Sequence, residues 1–436
     1  QELEAQKDKL EAEISAKSTE FKVQVTPVTL EQVQRQLPRD GVLVEYVAYS
    51  PFDAKTQKYG TSRYAVYTLN QAGEINWADL GSAELIDQAV ASLRKALSQP
   101  QTSLVKDIAP AAQALDKLVL KPIRAVVGKT SHLLLSPDGA LNLIPFAALM
   151  DERGKFLVET CTLTYLTSGR DVLRLAAKSA SQDPPLVLTD PDYAEGKGPE
   201  LLGHAFKPLA RLTGTHEEGR QIKALLPAAQ LKMEAEATEA ALKQARKPAL
   251  VHIATHGYFL ADAGAETAAE QETRLLERQQ ENQPVDVEKL RQANPLLRSW
   301  LFFAGANRGG NADNDGTMTA LEAAQLDLWG TKLVTLSACD TGLGDVINGD
   351  GVYGLRRALV LAGSEAQMMS LWPVSDQGTR ELMVAYYTRL KAGEGRSEAL
   401  RKVQLTLFKN PKRQHPYYWA AFIQSGEWAN LAGQRQ

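Results

Sequence analysis

Two strand-like runs in this chain each end in a side chain able to do acyl-transfer chemistry. Lys332-Leu-Val-Thr-Leu-Ser-Ala-Cys339-Asp-Thr-Gly342 reads as a buried apolar strand that stops at a thiol and breaks into a glycine-containing loop. Upstream, Ala249-Leu-Val-His-Ile-Ala-Thr-His256-Gly257 has the same design and stops at an imidazole. A thiol and an imidazole at the carboxyl ends of buried strands are the parts of a Cys–His hydrolase. The thiol attacks a carbonyl only as thiolate or beside a base. His256 can take that proton and later return it to the leaving amine. The tetrahedral oxyanion needs backbone N–H donors. Gly257, which lets the backbone approach a substrate closely, and Cys339, whose amide adjoins the sulfur, are the candidates for that role.

Other chemistries fit the same residues less well. His252 and His256 are four apart, which on a helix would suit zinc; on a strand they are roughly 13 Å apart at ~3.3 Å per residue. The glutamate of H-E-x-x-H is also missing. His252 therefore reads as an interior histidine with partners of its own. Gly342-Leu-Gly344 and Gly349-Asp-Gly351-Val-Tyr-Gly354 look superficially like phosphate loops, but no Gly-Lys-Ser/Thr comes after them. Gly128-Lys-Thr130 lacks the leading glycine of a P-loop, since Ile123 stands there. The reading requires neither a metal nor a cofactor.

Such a site needs strands to carry it. Gly41–Tyr49, Arg63–Leu69, Ser131–Ser136, Leu186–Thr189, Ser299–Ala304, Ala366–Trp372 and Tyr417–Ile423 have strand composition. Ala83–Ser98, Ser103–Val127, Thr215–Leu226, Thr238–Lys247, Thr319–Gln325, Gly351–Leu361, Ser375–Lys391 and Ser397–Lys409 read as helices. Glu217 and Glu218 fall in a first turn, where they suit the helix dipole. Strands separated by single helices predict right-handed crossovers and a mostly parallel sheet, covered by helices on both faces. In such sheets, sites form beyond the carboxyl ends of the strands. His256, Cys339 and Asp376 all fall there. Ser181-Gln-Asp-Pro-Pro185 is the best boundary, giving an N-terminal helix or linker at 1–27 and subdomains at 28–180 and 181–436. Residues 261–292, rich in Glu, Gln and Ala, read as an exposed insertion beside the site.

Bulk composition excludes other classes. The chain has 436 residues, 44% hydrophobic and 23% charged, with net charge -3. It is long enough for two or three domains and offers no basic face for nucleic acid. Two cysteines make no disulfide framework, which predicts a reducing, cytoplasmic setting. Cys161 reads as a small buried hydrophobe. No run of 18 apolar residues exists to span a membrane, and residues 1–24 are charged, unlike a secretory leader. The chain begins at Gln1 without Met, as an excised piece of a longer protein would. Gln1–Phe21 reads as a helix packing on something upstream.

Leu250-Val-His-Ile-Ala-Thr-His-Gly257 and Leu336-Ser-Ala-Cys-Asp-Thr-Gly-Leu-Gly344 resemble the paired signatures of the CHAT domain, of the caspase–separase group of cysteine peptidases. Pro137–Phe146, Gly351–Ala358, Ser370–Asp376 and His415–Phe422 resemble it too, so the likeness runs from about Leu30 to Glu427. The resemblance implies a caspase-like three-layer αβα sandwich, with a catalytically silent half before the active one. It implies a His256/Cys339 dyad and endopeptidase activity on a protein substrate. It also implies an upstream tetratricopeptide (TPR) region or activating partner. Some bacterial members act in immunity, though no residue here argues for that role. In separases an acidic residue near the matching strand end selects a basic side chain before the cut; Asp376 fits, and Asp376 or Ser375 reads equally as a helix cap. Asp340 can contribute to substrate binding or structure its loop, and Asp350 reads as a turn residue.

Two departures from caspases stand out. Gly342 lies three positions after the cysteine instead of two, and the stretch from His256 to Cys339 exceeds the usual ~50 residues. Most of the extra length is 261–292, which is expected to gate the site or to be self-cleaved at Arg274, Arg278, Lys289 or Arg291. The rival functions are a catalytically idle scaffold or sensor with the same fold, and acyl-transfer or amidase chemistry on a small molecule.

Overall fold

The computed structural model describes residues 27–98, 100, 105–128, 130–177, 179–201, 204–259, 295–309, 314–337, 350–372 and 376–435. Cys339, Asp340, the 261–292 insertion and the Gln1 helix lie outside the described residues.

The strands that build the fold are β1 (Gly41–Tyr49), β2 (Arg63–Asn70), β3 (Ile75–Ser82), β4 (His132–Ser136), β5 (Thr162–Tyr165), β6 (Leu186–Pro191), β7 (Gln230–Glu234), β8 (Leu250–Ala254), β9 (Gly257–Phe259), β10 (Ser299–Phe302), β11 (Thr317–Thr319), β12 (Leu333–Leu336), β13 (Ala366–Ser370) and β14 (Phe422–Gly426). Eleven of them form one sheet in the order β7-β6-β8-β12-β13-β14-β5-β4-β1-β2-β3. Neighbours from β7 to β13 run parallel, β13 and β14 antiparallel, β14 to β1 parallel again. The strands β6, β8 and β12 therefore run opposite to β5, β4 and β1. Their carboxyl ends open on opposite edges of the one sheet.

Every residue of β4, β8, β12 and β13 is buried, so both faces are covered. The helices doing this are α1 (Leu30–Gln36), α2 (Ala83–Leu97), α3 (Val105–Val119), α4 (Gly214–Leu225), α5 (Asp350–Leu361), α6 (Asp376–Lys391) and α7 (Arg396–Lys409). Alternation along the strands sorts the two faces. Val42, Val44, Leu133 and Leu135 share a core with Ile86, Val90, Leu93 and Leu97 of α2 and Ile108, Leu115 and Val119 of α3. On the other face Leu43 and Leu134 pack with Val33 of α1, and His252 meets Glu218 of α4 and Tyr387 of α6. This is the three-layer αβα architecture expected from the sequence. The α4 helix lies very close to β6: a Cβ on Gly219 would collide with Thr189 Oγ1, so glycine is required there. No helix among the described residues is long and apolar enough to cross a membrane.

Several elements differ from expectation for identifiable reasons. The 103–127 helix is α3 followed by a 3-10 turn at Lys121–Ile123 and a short helix at Arg124–Val127, because Pro122 removes a donor and clashes with the preceding turn. The Thr238–Lys247 and Thr319–Gln325 helices shrink to Glu239–Lys243 and Ala320–Ala323. The aromatic run Tyr417–Ile423 splits into a helical turn, Pro416–Trp419, and β14. Pro416 at the first helical position and His415 Nδ1, which accepts the Tyr417 N–H at 3.0 Å, override strand composition. The strand at Ser299 is β10, outside the main sheet, between β9 and β11 in a small antiparallel sheet. Asp350 opens a helix instead of lying in a turn. Strand β3 was not expected; it is an edge strand with Ile75 and Trp77 exposed, lacking the apolar pattern of the others.

Candidate active site

The site is built at the carboxyl ends of β8 and β12. These strands pair in parallel with Ile253 opposite Leu336. The next step is also bonded, since the Ser337 N–H donates to the Ile253 carbonyl at 2.8 Å. Past β8, Thr255 and His256 are buried. The His256 backbone is fixed at both ends. Its N–H donates to the Tyr193 hydroxyl at 3.0 Å, and its carbonyl accepts the Phe302 N–H at 3.0 Å. The Tyr193 ring lies 5.2 Å from the imidazole, centroid to centroid, and its hydroxyl bonds Thr255 Oγ1 at 2.9 Å. Gly257 begins β9 and pairs with Leu301 of β10. The small sheet thus holds the chain immediately after the histidine.

The imidazole Nε2 lies 2.7 Å from the Ala210 carbonyl oxygen. A carbonyl only accepts, so Nε2 must carry the hydrogen. Neutral His256 therefore keeps its basic lone pair on Nδ1. An imidazole fixed in this tautomer can accept a proton at one defined atom, which is what a general base requires.

Beneath His256 lies a second, fully buried polar group. Ser337 Oγ donates to Glu218 Oε1 at 2.5 Å. His252 Nε2 is 3.0 Å from that same oxygen, both side chains almost inaccessible. The Tyr387 hydroxyl lies 3.2 Å from His252 Nδ1 and donates to Thr335 Oγ1 at 3.0 Å. This network ties α4 and α6 to the two strands that lead to the site. His252 is an interior histidine with partners, as expected. Glu218 is not a first-turn dipole residue but a buried acceptor.

Cys161 is buried, and burial pushes its thiol up to about 11. It is protonated and unreactive near neutrality, as expected of a small interior hydrophobe. Asp376 is the first residue of α6, shortly past the end of β13; its side chain lies outside the described residues, as do Cys339 and Asp340. Sequence reasoning missed Tyr193 and Ala210. A backbone carbonyl leaves no trace in residue identity, and Tyr193 reaches His256 only through the tertiary fold.

The model of the CHAT domain matches residues 109–427. The chain belongs to the CHAT domain family. The matched interval contains His256, Gly257, Cys339, Asp340 and Asp376. Among curated proteins, this CHAT chain is similar to tetratricopeptide repeat protein 28 of Homo sapiens, 24% identical over 347 residues. That similarity covers 76% of this chain but 13% of the human protein. The Mus musculus protein is 24% identical over 354 residues, covering 76% and 14%. The CHAT chain therefore spans a small part of the curated relatives it matches. Among solved structures it is similar to the Arg-specific cysteine proteinase gingipain R, with TM-score 0.39 and 12% identity over 79% of this chain and 74% of that one. It is also similar to the Saccharomyces cerevisiae separase–securin complex, with TM-score 0.42 and 11% identity over 91% and 30%.

Proposed function

We propose that this CHAT chain is a cysteine endopeptidase in which His256 is the base and Cys339 the nucleophile. The observation that carries the reading is the fixed His256 imidazole at the end of β8, beside the strand that leads to Cys339. His256 lies three residues after Ile253, Cys339 three after Leu336, and Ile253 and Leu336 are partners in the ladder.

In the proposed reaction, His256 Nδ1 takes the Cys339 thiol proton and the sulfur attacks the scissile carbonyl carbon. The carbonyl π electrons move to oxygen, which the amides of Gly257 and Cys339 hold. The oxyanion collapses, the C–N bond breaks, and the amine leaves with the proton from Nδ1. Water then adds to the thioester, its proton passing through His256, and releases the acid and the thiol. Removing one oxyanion donor typically costs about 2.7–4 kcal/mol of transition-state stabilisation.

Asp376, at the start of α6, is assigned to bind a basic side chain before the cut, with Asp340 as a second contact. The curated relatives are named for tetratricopeptide repeats, which supports an upstream repeat region as partner or regulator. Two cysteines in 436 residues suit a reducing, cytoplasmic setting.

The test is a thiol-directed probe followed by unbiased cleavage profiling. Cys339 should label, Cys161 should not, and His256→Ala should suppress the label. Cleavage should vanish in Cys339→Ala and should favour Arg or Lys before the cut. Labelling indifferent to His256, with no peptide cleaved, would leave the idle scaffold as the reading that stands. A preference for non-basic residues would remove Asp376 from its role.

A further inference from the structure

The carbonyl that sets the His256 tautomer belongs to the middle residue of a tripeptide, Leu209-Ala210-Arg211, whose two outer residues are both clamped. On one side is Asn307, a buried side chain. Its Oδ1 accepts the Leu209 N–H at 2.7 Å and its Nδ2 donates to the Leu209 carbonyl at 3.0 Å. The second amide hydrogen goes to the Ala194 carbonyl at 2.9 Å. The Asn307 backbone N–H donates to the Tyr193 carbonyl at 3.0 Å, so this clamp is anchored on the residue whose ring and hydroxyl also contact His256.

On the other side is Arg211. Its Nε and Nη2 donate to the two oxygens of Asp190 at 2.7 Å each, and Nη2 also donates to Glu234 Oε1 at 2.6 Å. A two-pronged guanidinium–carboxylate pair fixes direction as well as distance. Asp190 is itself held. Its side chain is 2% exposed, and its N–H donates to Thr215 Oγ1 at 2.9 Å. Its φ of 51° is a left-handed conformation that a non-glycine residue keeps only when its surroundings impose it. Asp190, Glu234 and His216 offer ligand atoms close enough together for a cation. The Arg211 guanidinium already supplies the positive charge between the two carboxylates, so a metal is not needed there.

We infer that Asn307 and the Arg211–Asp190 pair are positioning residues: they aim the Ala210 carbonyl at Nε2 of His256 and so keep the lone pair on Nδ1. This rests on the reading of His256 as the base. A loop carbonyl without these clamps would turn away, Nε2 would find water, and both neutral tautomers would be populated. Partners that orient a functional imidazole through its other nitrogen are worth about 10–100-fold where this has been measured, in metal sites.

The experiment uses the full chain, with imidazole nitrogens read by 15N–1H NMR and His256 assigned by loss of its signals in His256→Ala. Wild type should show the Nε2–H tautomer. Arg211→Met and Asn307→Ala should show mixed tautomers and about a tenfold slower alkylation of Cys339 by iodoacetamide at neutral pH. Arg211→Lys, which keeps the charge but loses the fork, should fall between and covers the case in which Arg211→Met does not fold. A tautomer unchanged in the folded variants would overturn the inference. Alkylation that ignores His256→Ala would instead sink the dyad, and the clamp would be judged on the imidazole spectrum alone.

Discussion

Strands β4 (His-Leu-Leu-Leu-Ser) and β8 (Leu-Val-His-Ile-Ala) are equally long, wholly buried, and each carries one histidine. They differ in the loops beyond their carboxyl ends. After β4 the chain closes on itself: Asp138 accepts the N–H groups of Ala48 and Gly139, each at 2.8 Å, and the Ala140 N–H donates to the Tyr64 hydroxyl at 3.1 Å. After β8 the bonds gather on one imidazole. The interior histidines differ likewise. His132 has a threonine hydroxyl at 2.7 Å and the edge of Trp428, and burial lowers it to about 4. His252 has a carboxylate at 3.0 Å. Because β4 and β8 run in opposite directions, their carboxyl ends never share an edge. One half of the sheet is finished as a structural turn; the other retains ionisable groups under a strand end.

The largest expected effect separates these two ends. His256→Ala should lower peptide cleavage by about 10²–10⁴-fold, the usual worth of a positioned acid–base group. Asp138→Ala, at the opposite edge, should leave cleavage unchanged once the folded fraction is allowed for. Equal losses would break the comparison. Leu134→Ala should cost about 2–5 kcal/mol in denaturant unfolding, and Ile253→Ala should fall in the same range, since both positions are buried core. A cost far below this at either position would show that its side of the sheet is not close-packed.

The histidines predict a pH difference. The folded pKa of His132 lies below its unfolded value of 6.5, so the unfolded chain takes up the proton first. Its contribution is complete above pH 6.5 and is lost as pH falls towards 4, by up to roughly 3 kcal/mol. His132→Gln should flatten the stability profile in that window; an unchanged slope would refute it. The smallest effect is at Glu218. Glu218→Gln keeps an acceptor for Ser337 and loses the charge beside His252, costing about 1–2 kcal/mol of unfolding free energy. A neutral or stabilising result would show that the carboxylate serves something other than stability.

Much of the fold was legible because burial on both faces leaves continuous aliphatic runs. Strands β1, β4, β8, β12 and β13 and helices α2, α6 and α7 are readable from such runs or from helical periodicity. The elements that escaped were short or amphipathic. Strand β3 is an exposed edge with no apolar pattern, and Tyr417–Trp419 obeys Pro416 and His415 instead of its aromatic composition. At the site, His256 and Gly257 were readable because they end a patterned strand. The Ala210 carbonyl was not, since any residue presents one. Neither were Asn307 and Arg211, which lie far from His256 in sequence and meet its surroundings only through loop packing.

The sequence by itself determined that this is an α/β chain with a histidine shortly after one buried strand and a cysteine three residues in sequence after another, because hydrophobic patterning and side-chain chemistry are local properties. Only the tertiary structure decided that those strands are neighbours in register, that the two halves of the sheet open on opposite edges, and that a backbone carbonyl selects the imidazole tautomer. Those facts depend on strand order, direction and loop contacts, which no short segment encodes alone.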